Sequence, residues 1–306
     1  MLLALAVAAG TAAAATAPWH KSAPLLHPRA AHAVVTDGRS IYALAGTGAR
    51  GAPVLEVERF AGTRWRAETT LPGGGLNAPA AAMLNGRIYL IGGFDSTSNV
   101  PVTTTRVYDT ATKRWSTAAP LPAARGGHAA VVLGGRIHVL GGGDNERTLA
   151  LHTVYDPATD RWTDLAPLPR PKGSVAAVVF GGRIYAIGGR SGRSDFGDVN
   201  VYDPRSDRWT AATPIAPRGT AGAVAYHGWI YVVGGESQRT AATLRSMLRW
   251  NPGLKAWQRV ASMPTPRSFA RAVVFRDRIY VIGGSRFFGD SHAAEGSRVV
   301  EAFRLK

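Results

Sequence analysis

The chain has 306 residues, too many for one ordinary compact core and awkward for two average domains, so a repeated architecture is the first to test. Hydrophobic residues at 45% and charged residues at 18% exclude a disordered chain, and the absence of cysteine excludes a disulfide scaffold, thiolate zinc sites and a cysteine nucleophile. With 36 Lys+Arg against 20 Asp+Glu the formal net charge is +16, which leaves nucleic acid, anionic membrane surfaces and acidic ligands open as partners.

Residues 1–17, MLLALAVAAGTAAAATA, are uncharged, apolar in front and Ala-rich behind, with an A-x-A pattern at Ala13-Ala14-Ala15. They predict an export signal, and with it an exported protein, periplasmic or extracellular, whose domain spans 18–306. No Lys or Arg precedes the apolar run. The segment lacks the amphipathic period of a packed helix and is short of the about 20 apolar residues that span a membrane, so no stable span is expected after cleavage.

From residue 18 the chain repeats. Gly86-Arg87-Ile88-Tyr89 leads to Gly92-Gly93, and Gly182-Arg183-Ile184-Tyr185 to Gly188-Gly189. Degenerate copies are Ile41-Tyr42 with Ala45-Gly46, Ile137-His138 with Gly141-Gly142, Ile230-Tyr231 with Gly234-Gly235, and Ile279-Tyr280 with Gly283-Gly284. The six isoleucines lie 47, 49, 47, 46 and 49 residues apart. Trp19, Trp65, Trp115, Trp162, Trp209 and Trp257 run in step, and Tyr108-Asp109, Tyr155-Asp156 and Tyr202-Asp203 fall between, each Tyr seven residues ahead of its Trp. Phe60 in the first repeat precedes Trp65 by only five. Three phased series mark about six copies of one unit.

Within a unit the grammar is four short strands. In the third, 129–133 and 136–140 flank a Gly134-Gly135 turn, and 153–156 and 161–165 flank a turn that opens on Pro157. No segment keeps a 3.6-residue apolar period, so the fold class is all-β, and four-stranded units of this length stacked in a ring form a six-bladed β-propeller. Trp19 to Leu25 aligns with Trp115 to Leu121, a fourth strand that arrives before its own blade, while residues 271–304 supply three strands and stop without a Trp. The N-terminal strand is therefore expected to complete the sixth blade and close the ring.

The Gly-Gly pair, the Tyr-Asp and the Trp at this spacing resemble kelch repeats over nearly all of residues 18–306. In physical terms the glycines let neighbouring backbones approach closely, and Tyr and Trp wedge between blades.

The loops joining second to third strands, 94–104, 143–151, 190–199, 236–246 and 285–297, are long and unlike one another, and antiparallel topology puts them on one face with the inter-blade links. Twelve residues before the repeat isoleucine stand Arg29, Arg125, Lys172, Arg218 and Arg267, with Leu76 the exception. Symmetry is expected to gather these five cations around the axis as a ligand-binding ring for carboxylates, sulfates or phosphates. The alternative is that they belong to the kelch pattern and pair locally with loop acids such as Asp95, Asp144 or Glu236. His32 and His128, three residues after Arg29 and Arg125, are read as hydrogen-bonding residues of the repeat. The eight histidines show no metal-ligand spacing, no nucleotide-cradling loop or nucleophile elbow is present, and no cofactor is expected. Kelch copper oxidases use a cysteine linked to tyrosine, which this chain lacks.

Two functional readings follow. The first is a non-catalytic binding module, an expected monomer, for an acidic protein segment or an anionic glycan at an Arg-lined loop face. In the second, Gly219-Thr220-Ala221-Gly222-Ala223 with Gly235-Glu236 and Arg239-Thr240 looks like the corresponding blade of the bacterial sialic acid mutarotases, also called N-acetylneuraminate epimerases. That resemblance implies Glu236 as the catalytic proton shuttle and Arg239 as the clamp on the sugar carboxylate. Glu236 and Arg239 stand closer together than the family's pair, and the chain lacks the family's long insertions. Nucleic acid is not the expected partner, because no basic run is interleaved with stacking aromatics.

Overall fold

The computed structural model describes residues 18–289 and 296–305, so the expected export signal at 1–17 lies outside the described residues. Six four-stranded antiparallel sheets stand around an axis. In the third blade the strands are Ala129–Leu133, Arg136–Leu140, His152–Asp156 and Arg161–Asp164, in line with the sequence reading. Each blade's first strand is innermost: Ala33–Thr36, Ala80–Leu84, Ala129–Leu133, Ala176–Phe180, Gly222–Tyr226 and Arg271–Phe275. A three-residue 3-10 turn, Ala49–Gly51, is the one helical element among the described residues.

Apolar clusters fill the spaces between neighbouring blades. The wedge between the fourth and fifth, for example, buries Ile187, Val199, Ile230, Val232 and Trp250. The second strands carry much of this, with Ile-Tyr, or Ile137-His138 in the third repeat, and the two residues after it buried at every repeat.

The tryptophans stitch the rim. Across the third and fourth strands Tyr108, Tyr155 and Tyr202 lie opposite Trp115, Trp162 and Trp209, with ring centroids 5.1–5.2 Å apart. Phe60 faces Trp65 in the same way, and the short first-blade hairpin accounts for its shorter spacing. Each indole N–H then reaches back to the preceding blade: Trp162 to the Ala119 carbonyl at 2.8 Å, Trp209 to Ala166 at 2.8 Å, Trp257 to Thr213 at 3.0 Å. Trp19 follows the rule across the whole sequence, donating to Ala261 at 2.7 Å. Its strand, Trp19–Lys21, pairs with Val300–Arg304, placing Trp19 against Phe303 and Lys21 against Glu301. The N-terminal strand closes the sixth blade.

At the loop face the glycine pair explains itself. The second glycine's N–H donates to the next blade's link: Gly93 to the Arg125 carbonyl, Gly142 to Lys172, Gly189 to Arg218, Gly235 to Arg267 and Gly284 to Arg29, all at 2.7–3.0 Å. A Cβ on Gly141 would sit 2.3 Å from the Lys172 carbonyl oxygen, a clash of backbone with backbone that no rotamer relieves. One step further in, Ala31, Ala78, Gly127, Ser174, Thr220 and Phe269 all take a left-handed φ of 48–64°. Their backbones join from blade to blade, with the N–H groups of Ala78, Gly127, Ser174 and Thr220 donating to the preceding member at 2.7–3.1 Å. This collar narrows the loop-face end of the axial channel.

Candidate functional site

The five register cations are buried, and each turns into its own blade. Arg29 is fully enclosed with Glu58, from Nη2 to Oε1 at 2.9 Å, and also donates to the Ala45 carbonyl at 2.9 Å. The Glu58 carboxylate is completed by the backbone N–H groups of Leu26 and His27. Arg267 pairs with buried Glu301 at 2.6 Å and donates to the carbonyls of Val281, Gly283 and Val299. Lys172 reaches Asp198 at 2.8 Å and Asn200 at 2.9 Å. Among the described residues Arg125 and Arg218 hydrogen-bond only to neutral groups, Thr153 Oγ1 at 2.7 Å and Ser246 Oγ at 3.1 Å besides carbonyls, and burial pulls both guanidinium groups down to about 10. Pairing is thus local, with third-strand side chains and not with Asp95, Asp144 or Glu236 as the loop-acid alternative expects. No exposed ring of these five cations surrounds the axis.

The loop face nonetheless carries arginine. Arg50, Arg147, Arg193, Arg239 and Arg286, one on each of five second-to-third-strand loops, are exposed, and none has a carboxylate partner among the described residues. They follow the buried cations by 21, 22, 21, 21 and 19 residues (50 − 29, 147 − 125, 193 − 172, 239 − 218, 286 − 267). That second phased series was the available sequence signal. Val100 and Phe287, 52% and 59% exposed, stand on the same face. Between the loops of the second, third and fourth blades lies a cleft of about 310 Å³ lined by Phe94, Asp144, Thr148, Ser174 and Arg190 among glycines.

Glu236 sits beside this cleft and is fully buried. Its Oε1 is bound by Arg190, whose guanidinium also lies over the Phe269 ring at 5.5 Å; Oε2 has no hydrogen-bond partner among the described residues, though the Gly289 N–H also pulls the carboxyl down. Burial raises the Glu236 carboxyl, against the opposing pull of Arg190. Asp195, from the fourth-blade loop, accepts the Gln238 N–H through Oδ2, keeps a free Oδ1 and is also raised by burial. Arg239, which the mutarotase resemblance pairs with Glu236, stands exposed and makes no bond to it; Arg190 of the preceding blade occupies that place. Among the described residues no three His, Asp or Glu side chains gather as metal ligands.

Residues 80–284 match the model of the KLHDC2/KLHL20/DRC7 Kelch-repeats domain. The chain belongs to the kelch-repeat family. The fold of this kelch propeller is similar to that of the solved "Structure of YjhT", with a TM-score of 0.80 and 15% identity over 93% of this chain and 97% of that one. No curated protein matches the sequence.

The kelch grammar separates two kinds of residue. The glycine pairs, the Trp series and the turn ion pairs Arg87–Asp109, Arg136–Asp156 and Arg183–Asp203, at 2.8–3.2 Å, recur and build blades. The loop arginines, Arg190, Asp195 and Glu236 lie outside that framework.

Proposed function

We propose that this kelch propeller is an exported binding module whose loop face takes an acidic protein segment. The observation that carries the reading is the set of five exposed arginines, Arg50, Arg147, Arg193, Arg239 and Arg286, presented by separate loops on one face with no ion pair among the described residues. A guanidinium offers planar, bidentate donors to carboxylates, and exposed Phe287 and Val100 supply the apolar contact that a peptide, more than a sugar, would use. Five charges spread over five loops suit an extended ligand that touches several at once. Export rests on the composition of residues 1–17.

The test is a binding panel of Glu/Asp-rich peptides, sialylated, uronate and sulfated glycans, and single-stranded nucleic acid, repeated with Arg147→Ala, Arg193→Ala and Arg239→Ala combined. Acidic peptides should bind the wild type, and the triple variant should lose about threefold to about a hundredfold in affinity, as three exposed charge contacts of about 0.2–1 kcal/mol each imply. Equal affinity in the triple variant, or preference for another ligand class, would overturn the reading.

A specific observation also supports mutarotase-like chemistry, the buried Glu236 with a raised carboxyl beside Arg190 and an Oε2 without a hydrogen-bond partner among the described residues. Glu236 would then serve as the proton shuttle and Arg190, with Arg239 on the rim, as the carboxylate clamp. Exchange of sialic acid anomers followed by NMR decides it: acceleration over buffer that Glu236→Gln removes is the expected signature, and no acceleration discards it.

A further inference from the structure

The first residue of each inner strand is Ala33, Ala80, Ala129, Ala176, Gly222 and Arg271. Five blades thus place a small residue at the axis and the sixth a guanidinium. The six positions line an axial cavity of about 130 Å³, otherwise walled by alanine, valine and proline together with His128. Beyond Arg271 the channel continues toward the opposite face between Val131, Val178, Val224 and Val273. Toward the loops it is narrowed by the left-handed collar, where Thr220 and Ser174 meet Arg271 again.

Arg271 is poorly compensated in this place. Its Nε donates to the His32 carbonyl at 2.7 Å, and among the described residues its two Nη groups have no hydrogen-bond partner and no carboxylate lines the cavity. Desolvation by the surrounding blades pulls the guanidinium down to about 10, which leaves it charged at neutral pH. A second donor in the same narrow space is also idle: the Thr220 hydroxyl is buried without a partner. Arg271 is part-buried with its Nη groups open to the channel, and a cation there with no counter-charge among the described residues, beside a buried hydroxyl without a bond, leaves two sets of donors to be filled. Both deficits are met by one object, an anion held between the Arg271 Nη groups and the Thr220 Oγ1.

We propose that the axial cavity is a binding site for a small monovalent inorganic anion of the halide or nitrate class, held by Arg271 and Thr220. Charge selects the monovalent form, since one guanidinium faces the cavity. The donor count selects weak hydration: the lining side chains offer few donors, chiefly the Arg271 guanidinium and the Thr220 hydroxyl, to replace the water that phosphate or sulfate would have to shed. The neighbouring histidines add no charge, because burial holds His32 and His128 far below their ordinary range. This anion is a fixed element of the ring, separate from any ligand of the loop face.

Crystals grown free of halide and soaked in bromide test the site by anomalous diffraction. One peak in contact with the Arg271 Nη atoms is expected in the wild type; peaks confined to the outer surface, or water at that position, overturn the proposal. In solution, chloride NMR lines should broaden with the wild-type protein, less with Thr220→Val, and Arg271→Met should abolish the excess broadening. Broadening that survives Arg271→Met also overturns it. The thermal midpoint should be higher in sodium chloride than in sodium gluconate at equal ionic strength, and Arg271→Met should remove that difference. Should Arg271→Met fail to fold, the wild-type bromide map and the Thr220→Val line width decide.

Discussion

Two sets of five cations occupy the same repeats some twenty residues apart, and the fold treats them oppositely. Arg29, Arg125, Lys172, Arg218 and Arg267 are buried and bonded inside their blades, whereas Arg50, Arg147, Arg193, Arg239 and Arg286 stand in solvent. Strict register goes with structure: the link before each inner strand has the same geometry in every blade, so a long cation there can always span the blade's edge to the third strand. Looser spacing goes with the loops, which differ in length and answer to a ligand more than to the ring. Blade closure and the buried cations should therefore dominate stability, and the loop arginines binding.

The largest effect is expected from removing residues 18–25. This deletes the strand opposite Val300–Arg304 together with buried Trp19 and Leu25, and it leaves the Val300–Arg304 edge and the Ala261 carbonyl unpaired. Truncating a buried Trp alone costs about 3–5 kcal/mol, so the thermal midpoint should fall sharply or the cooperative transition vanish. An unchanged midpoint would refute the closure. Next comes Arg29→Ala, which strands the fully buried Glu58 carboxylate with only two backbone N–H donors. Loss of one partner from such a pair costs about 3–5 kcal/mol, measurable by denaturant unfolding, while Arg50→Ala in the same blade should stay within about 0.5 kcal/mol.

The fold was legible because its signals are phased. The Ile, Gly-Gly and Trp series mark strand, link and rim in each blade, and the orphan Trp19 announced the closure. The site was less legible. Phasing also drew attention to the register cations, whose burial depends on third-strand partners that vary from blade to blade, Glu58 and Glu301 in two of them but Asn200 in another. Glu236 was visible as a residue, but its partner Arg190 comes from another blade, 46 positions away, and only the ring brings them together. Arg271 escaped notice because its singularity appears only when the inner strands are aligned and five of six carry Ala or Gly.

The third blade sharpens the comparison through pH. His138 stands where other repeats have Tyr, and its Nδ1 lies 2.9 Å from Nε2 of His152 in a buried pair. Burial, with Arg136 adding to it, lowers His138 to about 4, and burial likewise lowers His152. Between pH 6.5 and about 4 the unfolded chain takes up a proton at His138 that the folded chain refuses. Stability is therefore full above pH 6.5 and falls as the pH drops through this window, by up to about 1.4 kcal/mol per pH unit for each such histidine. His138→Tyr, which restores the repeat, should flatten the acid slope by about one proton. A slope that does not change would mean that the pair is protonated in the folded state.

The smallest expected effect is the sharpest test of the contrast. At a net charge of +16 the folded chain repels itself, and among the described residues Arg147 and Arg239 form no ion pair to lose on becoming alanine, Arg147 having only a weak attraction to nearby Asp144. Removing either should leave stability unchanged or raise it by a few tenths of a kcal/mol at low salt. That gain should fade as the screening length shortens to about 8–10 Å near physiological ionic strength. Ligand affinity should move the other way, falling with each arginine removed and falling with salt in the wild type. A loop-arginine variant that instead loses more than about 1 kcal/mol of stability, with no change in salt dependence, would mean that its side chain holds the loop as Arg29 holds its blade, and the two sets of cations would then have one role.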